Sequence, residues 1–192
     1  MKHPLFKTSF YFGLISALVA FSFFLFLYWR GADALSISRL AADAFNAFLF
    51  IVAAMWYYKR VVRKGMLHLW EGLSIGFLTN LIATLISSTV IYLFITQIDP
   101  QLLNTHIHEM QQMLLRNQVK YEIIGKGKVD FNQLLVSIGK TTPSNIFWDE
   151  VLKKLVVTIL VPVVALLLRR QPYSFINPSD QPIAPSIKKK GV

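Results

Sequence analysis

Apolar residues gather into four long stretches along the 192-residue chain, and polar residues collect between them. Residues 8–29 run for 22 positions without a charge. Residues 40–58 are apolar but carry Asp43 and Asn46. Residues 66–95 hold one acid and no Lys or Arg in 30 positions. The last stretch covers residues 151–168. A helix rises 1.5 Å per residue, so ~20 apolar residues cross a bilayer. The pattern predicts an all-α membrane protein with four transmembrane helices, at about 8–29, 40–58, 72–96 and 151–168. An extracytoplasmic amphipathic helical segment, 97–145, separates the third span from the fourth. Residues 1–170 form one membrane domain, and 171–192 a disordered basic cytoplasmic tail.

The third stretch has a patterned interior face. At 100° per residue, Gly72, Gly76, Thr79, Asn80, Ala83, Thr84 and Ser87 fall within an arc of about 140°. Most bulky aliphatics lie outside that arc, although Leu73, Val90, Ile91 and Phe94 interrupt it. Gly72 and Gly76 are spaced as GxxxG, which lets helix backbones approach closely where no hydrophobic effect drives association. Asn80 sits inside the hydrocarbon and calls for a partner across a helix interface. Helix packing is the plainer reading of this face, and a substrate or ion path the functional one. Glu71 precedes the core, within reach of His68, Arg63 and Lys64. A headgroup-level ion pair is its plainer reading, and proton handling the functional one.

In the second stretch Asp43, Asn46, Ala47, Phe50 and Ala54 share a face. Asp43 lies about one turn inside, ~5 Å deep. An intramembrane acid is a functional candidate, and an ion pair with Arg39 at i−4, on the side nearer water, is the alternative. Ser38 is placed to cap this helix. The first stretch exceeds the ~7–15 apolar residues of a secretory signal. Ala32-Asp33-Ala34 resembles a cleavage site, but Tyr28-Trp29 at the end favours a retained span with an interfacial aromatic belt. Asp99-Pro100 can start an amphipathic helix, Asp99 as N-cap and Pro100 at N1. Leu103, Ile107, Met110, Met113 or Leu114, and Tyr121 recur on one side; Gly125-Lys126-Gly127 breaks it. Thr142-Pro143 is a second cap-and-start signal. Lys153 and Lys154 are placed to snorkel to the headgroups while Trp148 anchors there, and Pro162 removes one backbone bond from the last helix.

Composition narrows the picture further. The chain is 54% apolar, 14% aromatic and 16% charged, too apolar for a soluble domain with a normal surface. It has no cysteine, so it has no disulfide frame and no thiolate chemistry. The net charge of +10 alone would suggest nucleic acid. Its placement beside apolar stretches points instead to membrane topology, and no nucleic-acid partner is expected. The tight loop 59–65 carries Lys59, Arg60, Arg63 and Lys64 and no acid. Positive charge accumulates in cytoplasmic loops, which puts both termini on the cytoplasmic side of the membrane.

Catalytic signatures do not emerge. No P-loop, dinucleotide fingerprint or GxSxG is present. His106 and His108, at i and i+2, point apart on a helix and make poor partners for one metal. No catalytic residue, metal or cofactor is expected. The acids near the bilayer, Asp43, Glu71, Asp99, Asp149 and Glu150, follow no catalytic pattern, so an enzyme is not expected.

The order Gly65, Glu71, Gly76, Ile98-Asp99-Pro100 and then Thr142-Pro143 resembles the Bacteroidota membrane proteins of the domain of unknown function 4199 (DUF4199) family, over about residues 6–168. Members often carry an acid directly after the Asp-Pro, where this chain has Gln101. The resemblance implies an inner-membrane protein with about four spans and implies no reaction. The leading functional expectation is an accessory or scaffold subunit, packing through the bilayer against a membrane partner or a second copy. The alternative is a small oligomeric transporter or channel. Asp43, Asn46, Glu71, Gly72, Gly76, Asn80, Thr84, Asp99 and Pro100 are the candidate packing or polar-path residues.

Overall fold

The computed structural model describes residues 4–117 and 131–169. The far end of the amphipathic segment, with Tyr121 and the Gly125-Lys126-Gly127 break, and the basic tail 171–192 lie outside the described residues.

Helix α1 spans Pro4–Trp29 and α2 spans Ile37–Tyr57, the latter continuing through a π-helical turn, Tyr58–Val62. Helix α3, Leu69–Leu93, likewise runs into a π-helical turn, Phe94–Ile98. Two shorter helices follow, α4 (Gln101–Arg116) and α5 (Phe131–Gly139). The last span comprises α6 (Pro143–Leu155), a 3₁₀ stretch Val156–Leu160, and α7 (Val161–Leu168). No strand occurs among the described residues. Four of these helical runs, Pro4–Trp29, Ile37–Val62, Leu69–Ile98 and Pro143–Leu168, are long and apolar enough to cross a membrane. The shortest of them, 26 residues, reaches about 39 Å at 1.5 Å per residue.

Local chemistry sets the joints. Gly31 takes φ +66° just past α1. Its N–H bonds the Tyr28 carbonyl at 3.0 Å and the Ala32 N–H bonds that of Leu27 at 3.0 Å, the paired closure of a helix end that favours glycine. Ser36, not Ser38, caps α2: its hydroxyl accepts the Arg39 N–H at 3.4 Å. The helix starts two residues earlier than the Ser38 reading implies because the Asp33 carboxylate holds the Leu35 N–H at 2.9 Å and turns the chain there. Asp99 Oδ1 accepts the Gln101 N–H at 3.0 Å at the start of α4. Thr142 caps α6 through the Asn145 N–H at 3.3 Å, with Pro143 in the first turn. The last span therefore starts well before Val151. Pro162 cannot offer an N–H to the Thr158 carbonyl. The Val161 N–H takes that carbonyl instead, and the helix tightens to 3₁₀ just before the proline.

Helix α3 packs against each of the other three spans. Helix α1 runs parallel to it, with Ser9 beside Ile75 and Phe24 beside Phe94. The last span runs antiparallel to it, with Ser87 beside Lys154 and Asn80 beside Thr158. The two bundle ends differ. One, the basic end, carries the Lys59–Gly65 turn, where the Lys59 ammonium donates to the Leu168 carbonyl at 2.7 Å. The other, the cap end, carries the α1–α2 joint and α4.

The small residues of α3 are spent inside this bundle. A Cβ on Gly76 would lie 2.5 Å from Met55 Cε and 2.6 Å from Val161 Cγ1, and one on Gly72 would lie 3.0 Å from Ala165 Cβ. Thr79, Asn80, Ala83, Thr84 and Ser87 are buried too. Gly76→Val should therefore destabilise the protein by about 1–3 kcal/mol, the usual cost of overpacking. Thermal unfolding in detergent checks this, with the lipid-facing Leu18→Val expected to sit within ~0.5 kcal/mol of wild type.

Candidate functional site: a buried ring of four charges

Helices α2 and α6 each present an oppositely charged pair spaced i, i+4: Arg39 with Asp43, and Glu150 with Lys154. The two helices run in the same direction, and the order of signs is reversed between them. Plus therefore faces minus at both levels. Arg39 Nη1 donates to Asp43 Oδ2 at 2.9 Å, and Arg39 Nη2 to Glu150 Oε1. Lys154 Nζ lies 3.1 Å from Asp43 Oδ2 and 3.3 Å from Glu150 Oε2. The last contact is an ion pair outside hydrogen-bond alignment. Every member is at least 95% buried, and the ring closes with zero net charge.

Secondary contacts hold the ring in place. The Arg39 guanidinium lies over the Phe24 ring at 5.8 Å. Lys154 donates to Ser87 Oγ on α3 at 3.1 Å. One turn deeper, the Asn80 amide donates to Thr158 Oγ1 at 2.9 Å and to the Lys154 carbonyl at 3.3 Å. Asn80 Oδ1 has no partner among the described residues. A small cavity beside the ring is lined by Ser16, Ala20, Asp43, Ala47, Ala83, Thr84, Ser87 and Lys154.

Apolar layers bracket this polar level. Towards the cap end lie Phe24, Leu35, Ile91, Phe94, Ile95 and Ile146. Towards the basic end lie Ile51, Met55, Tyr58, Leu67, Ile75, Val161 and their neighbours. The charges exchange almost no surface with solvent and neutralise one another. Chemically the arrangement can pin helices and hold a polar molecule of water size.

The sequence-predicted candidates separate into three groups. Asp43 joins the ring, and Thr84 shares its cavity. Asn80 sits one contact away, through the Lys154 backbone. Asn46 turns towards α1, its amide donating to the Ser16 carbonyl at 3.0 Å and to Ser16 Oγ at 3.2 Å. Gly72 and Gly76 pack against the last span. Glu71 lies at the basic end, where its carboxylate pairs with Arg63 and accepts the His68 N–H at 3.4 Å. Asp99 and Pro100 lie at the cap end, where Asp99 accepts from the Tyr28 hydroxyl at 3.0 Å.

Two charges behave differently from their sequence reading. Lys154 does not snorkel to the headgroups. The i, i+4 acid Glu150 and the facing Asp43 draw it inward, while Lys153 pairs with Asp149 on the surface at 2.5 Å. Arg39 does not reach water either, being 1% exposed. Glu150 was missed as a partner. The signal for it was the pair of i, i+4 spacings with opposite sign order on two helices running the same way.

A second polar contact ties α4 to the cap end. His106 Nδ1 lies 3.1 Å from both oxygens of Asp33, in a cleft that also holds Tyr28, Asp99 and Glu109. Burial pushes the Asp33 carboxyl up, but its contacts with His106, the Leu35 N–H and Glu109 outweigh burial and hold it below its ordinary value. His108 contacts Gln112 instead.

The sequence profile described as a protein of unknown function, DUF4199, matches residues 11–170. This chain belongs to the DUF4199 family. No curated protein and no solved structure matches it. The match runs through all four spans, so the charge ring lies wholly within the DUF4199 region.

Removing one charge from the ring leaves another buried and uncompensated, so Lys154→Met should cost about 3–5 kcal/mol. Asp43→Leu combined with Lys154→Met leaves the Arg39–Glu150 pair balanced and should cost less than either single change. A double-mutant cycle by thermal unfolding in detergent reads this coupling, and simple additivity would contradict the ring. At the cap end, the Asp33 carboxyl titrates lower when folded than when unfolded. Its contribution is therefore complete above about pH 4 and lost as pH falls through the lower folded value. Hydrogen exchange of α4 amides, corrected for intrinsic rates, should show protection at about pH 5 that is lost below about pH 4. Asp33→Asn should reduce that protection.

Proposed function

We propose that this DUF4199 protein is a non-catalytic accessory or scaffold subunit of a bacterial inner membrane, with both termini cytoplasmic, that binds a membrane-protein partner or a second copy of itself. The carrying observation is where its polar groups go. The intramembrane charges pair with one another between two apolar layers, which favours a rigid body over a conduit. The small-residue face of α3 is consumed internally, so a partner must use another surface. Helix α4 offers one. Its apolar side meets the bundle near its start, through Leu102 and Leu103. Farther along the same side, Met110 and Met113 are 43% and 60% exposed. Methionine suits such a role because its flexible thioether adapts to varied surfaces. The orientation rests on the basic turn at Lys59–Gly65.

A small oligomeric transporter is the second reading, favoured by the cavity that Asp43 and Thr84 share. Asn80 does not line that cavity, and an apolar layer lies beneath it.

Affinity purification of the tagged protein from native membranes in mild detergent, with mass and partner identity read together, separates the two. A defined complex that Met110→Ser with Met113→Ser weakens at least tenfold, while the bundle keeps its unfolding temperature, is the expected result. An unaltered complex would remove α4 as the docking surface. A lone monomer that drives solute flux in liposomes would replace the scaffold reading with transport.

A further inference from the structure

We infer that the bundle binds one structural water molecule beside the charge ring, donating to Asp43 and accepting from the hydroxyls of Ser16 and Thr84. The inference is independent of the proposed scaffold role. The cavity measures about 10 Å³, close to the smallest space that admits one water. Its polar lining comes from all four spans: Ser16 on α1, Asp43 on α2, Thr84 with Ser87 on α3, and Lys154 on the last span. Each of these residues is at least 95% buried.

The lining chemistry selects the ligand. An ionised carboxylate only accepts hydrogen bonds, an ammonium only donates them, and hydroxyls do both. A bare cation would face Lys154, and a bare anion would face Asp43. A larger polar molecule does not fit. Water suits both signs and makes the 2–4 polar contacts a buried water typically has. The ring itself leaves room for it. Arg39 and Lys154 both hold the same carboxylate oxygen, Asp43 Oδ2. Neither of these contacts uses the other oxygen, Oδ1, which as a carboxylate oxygen can accept. Ser16 Oγ accepts from the Asn46 amide at 3.2 Å, so its own proton is available to give away. Ser87 Oγ is already committed, accepting from Lys154 at 3.1 Å and donating to the Thr84 carbonyl at 3.3 Å.

The consequence is mechanical. Helix α1 contributes no charge to the ring. A water held between Ser16, Asp43 and Thr84 ties α1 to it, so that the polar level joins all four spans.

The test is water-selected magnetisation transfer by NMR on the full-length protein in lipid bilayers. Wild type should show transfer from a long-lived water to Thr84 and Ser16. The near-isosteric Thr84→Val, which removes one hydroxyl while keeping the shape, should reduce that transfer at Ser16 by at least half. Ala20→Val, which fills the cavity, should abolish it. The inference is overturned by the absence of a long-lived water at these positions in wild type, or by transfer that persists undiminished in both variants. Should either variant fail to fold, the wild-type spectrum still decides. Repeating it with sodium replaced by a bulky organic cation distinguishes water from a metal ion, and transfer that depends on sodium would overturn the assignment to water.

Discussion

Four buried charges fix how the spans can sit against one another. Arg39, Asp43, Glu150 and Lys154 each lie where an unpaired charge would be costly. Their attraction offsets that cost only while α2 and the last span keep their present register. Sliding one helix by a turn past the other would oppose like charges or strand two of them. Buried ion pairs are weak contributors to net stability but strong selectors of register. Here the selection matters because lipid-facing apolar surfaces discriminate poorly between alternative helix packings.

Around that level the rest of the bundle is steric. Gly72 and Gly76 admit Ala165, Val161 and Met55 into contact with the α3 backbone. The 3₁₀ stretch at Val156–Leu160 narrows the last span just past Lys154 and carries Thr158 to Asn80. The polar contacts thus follow one line, from Arg39 near the cap end through Lys154 to Asn80, and an apolar layer closes it. The four charges pair with one another, and α4 lies outside that ring, held to the bundle by two leucines and the His106–Asp33 contact.

Much of the architecture was legible before any coordinates. Long uncharged runs cannot satisfy their backbone groups in lipid except as helices, so the four spans follow from hydropathy and length. The face of α3 follows from 3.6-residue periodicity and the start at Thr142 from capping chemistry, while α4 begins one residue later than the Asp99 cap reading, with Pro100 at the cap position. The Arg39–Asp43 pair was visible as an i, i+4 spacing on one helix. Ser38 misled because a hydroxyl at a helix start looks alike at neighbouring positions, and the Asp33 turn chose Ser36.

Sequence by itself determined which segments enter the membrane and which face of α3 packs, because both depend on spacing within one helix. Tertiary structure alone decided the direction of Lys154 and the partners of Glu150, Asn80 and His106. A lysine near a helix end reaches water or turns inward according to what stands opposite, and opposite Lys154 stands Asp43, 111 residues away in the chain. Such pairings depend on which helices are neighbours and in what register, information that no single helix carries.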